Sequence, residues 1–227
     1  MQEIAAVCLD LDDTLWAVGP AIGRAERAMA DWLRVHCPRI TELHDIESMR
    51  RVRAAVSDEF PDRRHDLAFL RREALRRHAR EAGYADCDVD PAFDVFYGAR
   101  NQVELFDDVI PALQRLRSRF RLMALTNGNA DLAVIGLAQY FEHALGAREA
   151  GAAKPDARIF EAMLQRAGLD PAQVVYVGDD PHADVAGARA VGMHAVWIDR
   201  FSRPWPGELE PPAQRVRDLA ELVALLD

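Results

Sequence analysis

The stretch Ile4-Ala5-Ala6-Val7-Cys8-Leu9-Asp10-Leu11-Asp12-Asp13-Thr14-Leu15 decides how the chain is read. Its first six residues form a continuous apolar run, the pattern of a parallel strand buried on both faces. The run breaks into the acids Asp10, Asp12 and Asp13, at the carboxyl end of a strand, where open α/β sheets place their ligands. Acids this close repel one another unless a cation or a reaction uses them. In an extended chain Asp10 and Asp12 point the same way, because side chains alternate with period two. Two carboxylates on one side can divide the work, one as nucleophile and one as proton donor. The plain alternative is an acidic turn capping the next helix, and the stretch alone leaves both open.

Outward from that strand, two textures follow. Residues 18–104 carry helical periodicity. Ile22, Ala25, Met29 and Trp32 form one stripe, and Ile46, Met49, Val52 and Val56 a second. Leu67, Leu70, Ala74, His78 and Ala82 form a third, stopped by Gly83. A fourth helix is expected to start with Asp90 as N-cap and Pro91 at its first position. From Leu105 onward strands and helices alternate, which implies a parallel sheet with crossover helices. Strands are expected at Leu122–Leu125, His143–Arg148, Val174–Val177 and Ala195–Ile198. Helices are expected around Pro111–Arg117, Ala130–Gln139, Asp156–Arg166 and Ala183–Val191, and a last short one at Leu219–Leu226. Phe201–Pro212, rich in proline, reads as irregular. The expected fold is therefore α/β, a doubly wound Rossmann-like parallel sheet from residues 1–17 and 105–227, with residues 18–104 inserted after the first strand.

Composition narrows the classes. With 227 residues, half of them hydrophobic, the chain can hold one large domain or a core plus an insert. The net charge of -9 argues against nucleic acid or an anionic membrane surface as principal partner. Cys8, Cys37 and Cys87 are too few and too scattered for a disulfide framework or a cysteine zinc site. No basic leader or membrane-length apolar segment is visible, so a reduced cytoplasmic compartment is expected.

Three further clusters sit at expected strand ends. Thr126-Asn127-Gly128-Asn129 offers a hydroxyl and turn amides that suit an anion, or simply a polar strand-to-helix turn. Lys154-Pro155 follows Gly151-Ala152-Ala153, so one long cation stands among small residues. Gly178-Asp179-Asp180, with Asp184 beyond, makes a second acidic strand end. A hard cation such as Mg²⁺ takes oxygen ligands and needs only one or two protein carboxylates. Asp184 reads equally as an acid favoured by a helix dipole.

Taken in order, Asp10-Leu11-Asp12-Asp13-Thr14, Thr126-Asn127-Gly128, Lys154-Pro155 and Gly178-Asp179-Asp180 with Asp184 resemble the four motifs of the haloacid dehalogenase-like (HAD) hydrolase superfamily. Leu-Thr-Asn-Gly-Asn-Ala, Tyr140-Phe141-Glu142 and Val-Gly-Asp-Asp-Pro-His-Ala-Asp-Val-Ala-Gly-Ala look like a narrower branch. That branch includes bacterial phosphatases acting on FMN and on the phosphorylated ribitylaminouracil intermediate of riboflavin synthesis. The resemblance implies a Mg²⁺-dependent phosphomonoester hydrolase working on a small phosphorylated metabolite. Asp10 would attack phosphorus and Asp12 would act as acid and then base. Asp10, the Asp12 carbonyl and Asp179 would hold the metal, and Thr126, Asn127 and Lys154 the phosphate. Asp180 and Asp184 would be supporting residues that orient Lys154 or metal-bound water.

The inserted segment is similar to the helical cap that many members carry, which closes over the site and contacts substrate. It is arginine-rich (Arg50, Arg51, Arg53, Arg63, Arg64, Arg71, Arg72, Arg76, Arg77, Arg80), which reads first as a solvated face balanced by acids. Trp32, Phe69, Phe93, Phe96 and Tyr97 read as the core of the segment. Trp16 is the candidate for a substrate-facing aromatic, with packing the favoured role. Competing functions are a sugar-phosphate mutase or other phosphotransferase, a 2-haloacid dehalogenase on the same fold, and a catalytically silent binding protein. Carbon–halogen displacement does not require an acid two residues after the nucleophile, and no nucleophile, lysine or metal acid is missing.

Overall fold

The computed structural model describes residues 4–84 and 86–227. The chain divides into two compact units, one running up to Ala17 and resuming at Glu104, the other Val18–Val103. Glu104 lies with the first unit, one position earlier than the sequence reading set the boundary. Its neighbour Leu105 is bridged antiparallel to Trp16, which ties the returning chain to the stretch after the first strand.

In the first unit, six described strands form one parallel sheet: β1 (Ala6–Leu9), β2 (Arg121–Thr126), β3 (His143–Gly146), β4 (Val174–Gly178), β5 (His194–Ile198) and β6 (Gln214–Val216). Their order is β3-β2-β1-β4-β5-β6, so the winding direction reverses between β1 and β4. A crevice at the carboxyl ends of such a pair is where doubly wound sheets bind ligands. Leu9 pairs with Ala124 on one side and Val177 on the other, which brings three strand ends to one edge.

Burial explains why β1 reads as unbroken apolar sequence: Ala6 to Leu9 are all fully buried. Ala6 and Cys8 join a core with Met123, Leu125, Tyr176 and the helix residues Ile159, Phe160 and Met163. Val7 and Leu9, one step along the pleat, face the opposite side. Fully burying a side chain such as Phe160 contributes about 1.5–3 kcal/mol. The helix Ala157–Ala167 starts where Asp156 accepts from the Arg158 amide and stops at Gly168, in the left-handed region with φ 64°. No helix among the described residues is long and apolar enough to cross a membrane.

Several expected elements differ in detail. The helix expected over Ala130–Gln139 is a single turn, Leu132–Ile135, capped by Asp131 and ended by Gly136 at φ 85°, followed by a short 3₁₀ turn. The strand expected to reach Arg148 ends at Gly146, and Ala147–Ala150 turns helically. Asp90 is not the N-cap of its helix: Val89 precedes it, and the Asp90 amide donates to Asp88 Oδ1 at 3.0 Å. β6 falls in a stretch with no apolar run, because in an edge strand of three residues only Val216 is buried.

The second unit is all helical: Val18–His36, Pro38–Leu43, Ile46–Glu59, Leu67–Glu81 and Asp90–Arg100. Met29, Leu33, Ile40, Leu75, Phe93 and Phe96 are among the residues of its main core. Trp32 and Tyr97 pack against that core, and Phe69 against a smaller one around Val56 and Leu70. The arginines mostly meet acids, as in Arg50–Glu26, Arg64–Asp58, Arg72–Asp90 and Arg77–Glu59. Arg71 is buried, its guanidinium 3.5 Å from the Phe96 ring centroid. The free thiols of Cys37 and Cys87 come within 3.6 Å of each other, although 50 residues part them in sequence.

Candidate active site

At the end of β1 the Asp10 amide donates to the Val177 carbonyl at 2.9 Å, so the first acid leaves the sheet with its backbone still in register. Its side chain is buried and its Oδ1 accepts from Lys154 Nζ at 2.6 Å. Lys154 arrives from the loop after β3. Its ammonium also donates to Asp184 Oδ1 at 2.6 Å and to the Tyr176 hydroxyl at 2.9 Å, with the Leu125 carbonyl 3.2 Å away. The Tyr176 hydroxyl in turn donates toward Asp184 Oδ1, 3.0 Å away. The lone lysine among small residues is therefore a buried cation with oxygens from three strand ends around it.

Asp184 reaches this lysine because of the local chain path. Asp180 accepts from the His182 and Ala183 amides, and the Val185 amide reaches back five residues to the Asp180 carbonyl. This widened turn, Pro181–Ala186, replaces the first part of the helix expected over Ala183–Val191, and Gly187–Ala190 continues it as α-helix. Wide turns of this kind collect at functional sites. Gly178 makes the approach possible: a Cβ there would stand 2.3 Å from the Asp184 carboxylate. The second Asp184 oxygen accepts from the Asp180 amide at 2.9 Å.

Asn127 clamps the lysine loop. Its amide accepts from the Lys154 backbone N–H at 2.7 Å and donates to the Lys154 carbonyl at 3.0 Å. Thr126, buried at the end of β2, accepts from the Gly128 amide at 2.9 Å, which leaves its hydroxyl proton to donate elsewhere. Asp12 Oδ1 accepts from the Trp16 indole at 2.8 Å. Trp16 is fully buried, so its role is packing and holding Asp12. Asp13 lies at φ 58°, a left-handed conformation that short polar residues tolerate best. Arg203 joins Asp13, at 3.1 Å, to Asp179, at 3.0 Å.

Asp10, Asp179 and Asp184 each place a carboxylate oxygen within 4.8 Å of the others. Burial raises the Asp10 pKa well above the carboxylate range, against the pull of Lys154, and Asp184 adds to the rise. Burial, followed by Asp184 and Asp13, pushes Asp179 up to about 7 despite Arg203. Burial disfavours the Lys154 charge, but Asp10 and Asp184 outweigh it and raise the lysine's pKa. Tyr176 is raised by burial and by the same acids, so it stays a hydrogen-bond donor. Acids held this far up are short of positive charge. The all-oxygen donor set is one that a small hard cation fits, and binding it would return these groups to their ionised form.

The model of the haloacid dehalogenase-like hydrolases matches residues 4–192. The chain belongs to that family. It is 30% identical to the 5-amino-6-(5-phospho-D-ribitylamino)uracil phosphatase YigB of Escherichia coli, across 100% of this chain and 98% of that one. It is 37% identical to a phosphoserine phosphatase of Thermus thermophilus over 67% of this chain and 64% of the other. A 2-haloacid dehalogenase structure from Pseudomonas syringae pv. Tomato DC3000 is similar at TM-score 0.91 and 39% identity, covering 98% of both chains. The chain is thus a hydrolase with the α/β core of this family.

Tyr176 and Arg203 are site residues that the sequence reading passed over. Tyr176 sits inside an apolar strand and reads as core there. Arg203 lies in the proline-rich stretch, 190 residues from Asp13, where no pattern points at it.

Proposed function

We propose that the chain is a Mg²⁺-dependent phosphomonoester hydrolase that forms an aspartyl-phosphate, an acyl phosphate, on Asp10. The observation carrying this reading is the buried Lys154 bridge between Asp10 and Asp184, with Asp179 beside them and Asp12 two residues on. In the first half, an Asp10 oxygen attacks phosphorus and the bond to the leaving oxygen breaks. The departing oxygen takes that electron pair and the Asp12 proton. In the second half, water attacks the aspartyl-phosphate and gives its proton to Asp12. Inorganic phosphate leaves, and Asp10 returns to a carboxylate. Thr126 and the turn at Asn127 donate to phosphate oxygens, and Lys154 offsets charge on the transferring group.

Asp10, the Asp12 carbonyl and Asp179 would hold Mg²⁺. When bound, the ion neutralises charge on the phosphoryl oxygens and the acids around them. Asp184 belongs to the supporting set, since one oxygen accepts from Lys154 and the other from the Asp180 amide. Asp180 holds the turn that delivers Asp184.

The substrate proposed is a small phosphorylated metabolite, FMN or a riboflavin-pathway phosphate, a reading supported by full-length similarity to the ribitylaminouracil phosphatase. The 39% identical dehalogenase favours a second reading, halide displacement by Asp10. Asp12 argues for phosphate, because a halide leaves without a proton. One experiment separates them: release of phosphate from FMN, ribityl, sugar and seryl phosphates with Mg²⁺, against halide release from 2-haloacids. Phosphate release lost in Asp12→Asn supports the phosphatase. Halide release indifferent to that change supports the dehalogenase.

A further inference from the structure

The helical unit carries a second group of ligand-type side chains, made of His44, His78 and Glu81. One ligand atom from each lies within 4.8 Å of the other two. His78 and Glu81 stand three apart on the helix Leu67–Glu81, hence on one face. His44 directly follows the helix Pro38–Leu43, and its amide closes that helix on the Ile40 carbonyl. Its Nε2 is 3.0 Å from Glu81 Oε2. The His44 and His78 rings are in tilted contact, with centroids 4.3 Å apart and planes at 55°.

His78 is the anomaly. It is 1% exposed, and neither ring nitrogen has a hydrogen-bond partner among the described residues. Burial, with His44 as neighbour, lowers its pKa to about 4, so the ring is neutral. A buried imidazole with both nitrogens unpaired loses about 1–3 kcal/mol per unmet group relative to water. Such groups call for an explanation, of which an ion is one. Its position in an apolar stripe explains the burial and leaves the missing partners unexplained.

We propose that His44, His78 and Glu81 form a binding site for a borderline divalent transition ion of the Zn²⁺ type, separate from the oxygen site of the other unit. Two imidazoles and a carboxylate are a donor set Zn²⁺ takes, with a fourth place for water. Bond lengths of about 2.0–2.2 Å put tetrahedral ligand atoms about 3.3 Å apart, a spacing that His44 Nε2 and Glu81 Oε2 already approach at 3.0 Å. Glu81, whose side chain is 59% exposed, can make that adjustment and leaves the site open to solvent on its side. Mg²⁺ does not compete well, because imidazole is a poor ligand for it.

The test uses the full chain, stripped by chelator and then held in excess Mg²⁺ to occupy the carboxylate site. Co²⁺ serves as probe, since four-coordinate cobalt with nitrogen ligands absorbs strongly in the visible and six-coordinate oxygen-bound cobalt only weakly. We expect a strong band saturating at one Co²⁺ per chain, erased by Zn²⁺, with Zn²⁺ also raising the melting temperature. His78→Gln should abolish the band. His44→Gln and Glu81→Gln, at less buried positions, should weaken binding by more than the roughly 10–100-fold that outer-sphere changes cost. Asp179→Asn should leave the band intact. Absence of the strong band in the unaltered chain, or its survival in both His44→Gln and Glu81→Gln, overturns the site.

Discussion

Lys154 Nζ lies 2.6 Å from Asp10 Oδ1, a buried contact between residues 144 positions apart in the chain. The lysine also holds Asp184, so one cation compensates two buried acids. Lys154→Ala would strand both. Breaking a buried pair by deleting one partner costs about 3–5 kcal/mol, and a lower denaturation midpoint should report it. Activity on every phosphate ester should fall by a similar factor, because the lysine acts on the group they share. A variant of unchanged stability, or one altered only in substrate preference, would contradict this role.

Asp10→Asn keeps the shape of the side chain and its ability to accept from Lys154. It removes the nucleophilic oxygen charge. The variant should fold, with an unaltered circular dichroism spectrum, and show no turnover. Near-normal phosphate release by folded Asp10→Asn would sink the covalent route.

Asp12→Asn deletes a proton donor that matters in proportion to how poor the leaving group is. Loss of a general acid typically costs 10²–10⁴-fold. Alkyl phosphates should suffer about that loss, while activated aryl phosphates, whose leaving oxygen needs little protonation, should lose far less. Equal losses on both esters would remove Asp12 from the acid role.

The parts of this site that sequence disclosed are those where polarity interrupts a buried strand. Asp10 after Val7-Cys8-Leu9 and Asp179 after Val175-Tyr176-Val177-Gly178 break apolar runs, and β1 and β4 prove to be neighbours. Lys154 stood out among small residues and matched a motif of the family resemblance; the geometry of its partners follows from a loop closure that local periodicity does not encode. Tyr176 has the opposite signature, a polar group hidden in an apolar strand. Arg203 and β6 lie where no repeat exists, and tertiary pairing alone orders them. The helix expected over Ala130–Gln139 stops after one turn because Gly136, at φ 85°, takes a left-handed conformation that ends it. His78 was legible as a core position, but His44, from another helix end, was not.

Gly178→Ala tests the close approach of Asp184. The added methyl would sit 2.3 Å from the Asp184 carboxylate, a distance no relaxation of Cβ alone can relieve. Asp184 must withdraw, which opens its bonds to Lys154 and to the Asp180 amide. Overpacking costs typically 1–3 kcal/mol, so the melting temperature should drop. Activity should drop with it across all substrates. Full activity in Gly178→Ala would mean that the Asp184–Lys154 contact is dispensable.

Metal dependence carries a pH signature. Chelation should stop phosphate release, Mg²⁺ should restore it, and Ca²⁺ should do so poorly, because its looser shell holds in-line geometry less well. In the metal-free protein Asp179 has a pKa raised from 3.8 to about 7 by burial and neighbouring acids. A carboxyl whose folded pKa is raised favours folding while it keeps its proton. That relative stability is present at pH values below its unfolded pKa and is lost as pH climbs through about 7. In chelator, the melting temperature of the native sequence should therefore decline between pH 4 and pH 7 relative to Asp179→Asn, which cannot ionise there. Added Mg²⁺ should remove most of that difference, since a bound cation favours the ionised carboxyl. Melting curves measured for both proteins, with and without Mg²⁺, decide the matter. Parallel pH profiles for the two metal-free proteins would show that Asp179 keeps an ordinary acidity, and the case for a cation-deficient site would fall with it.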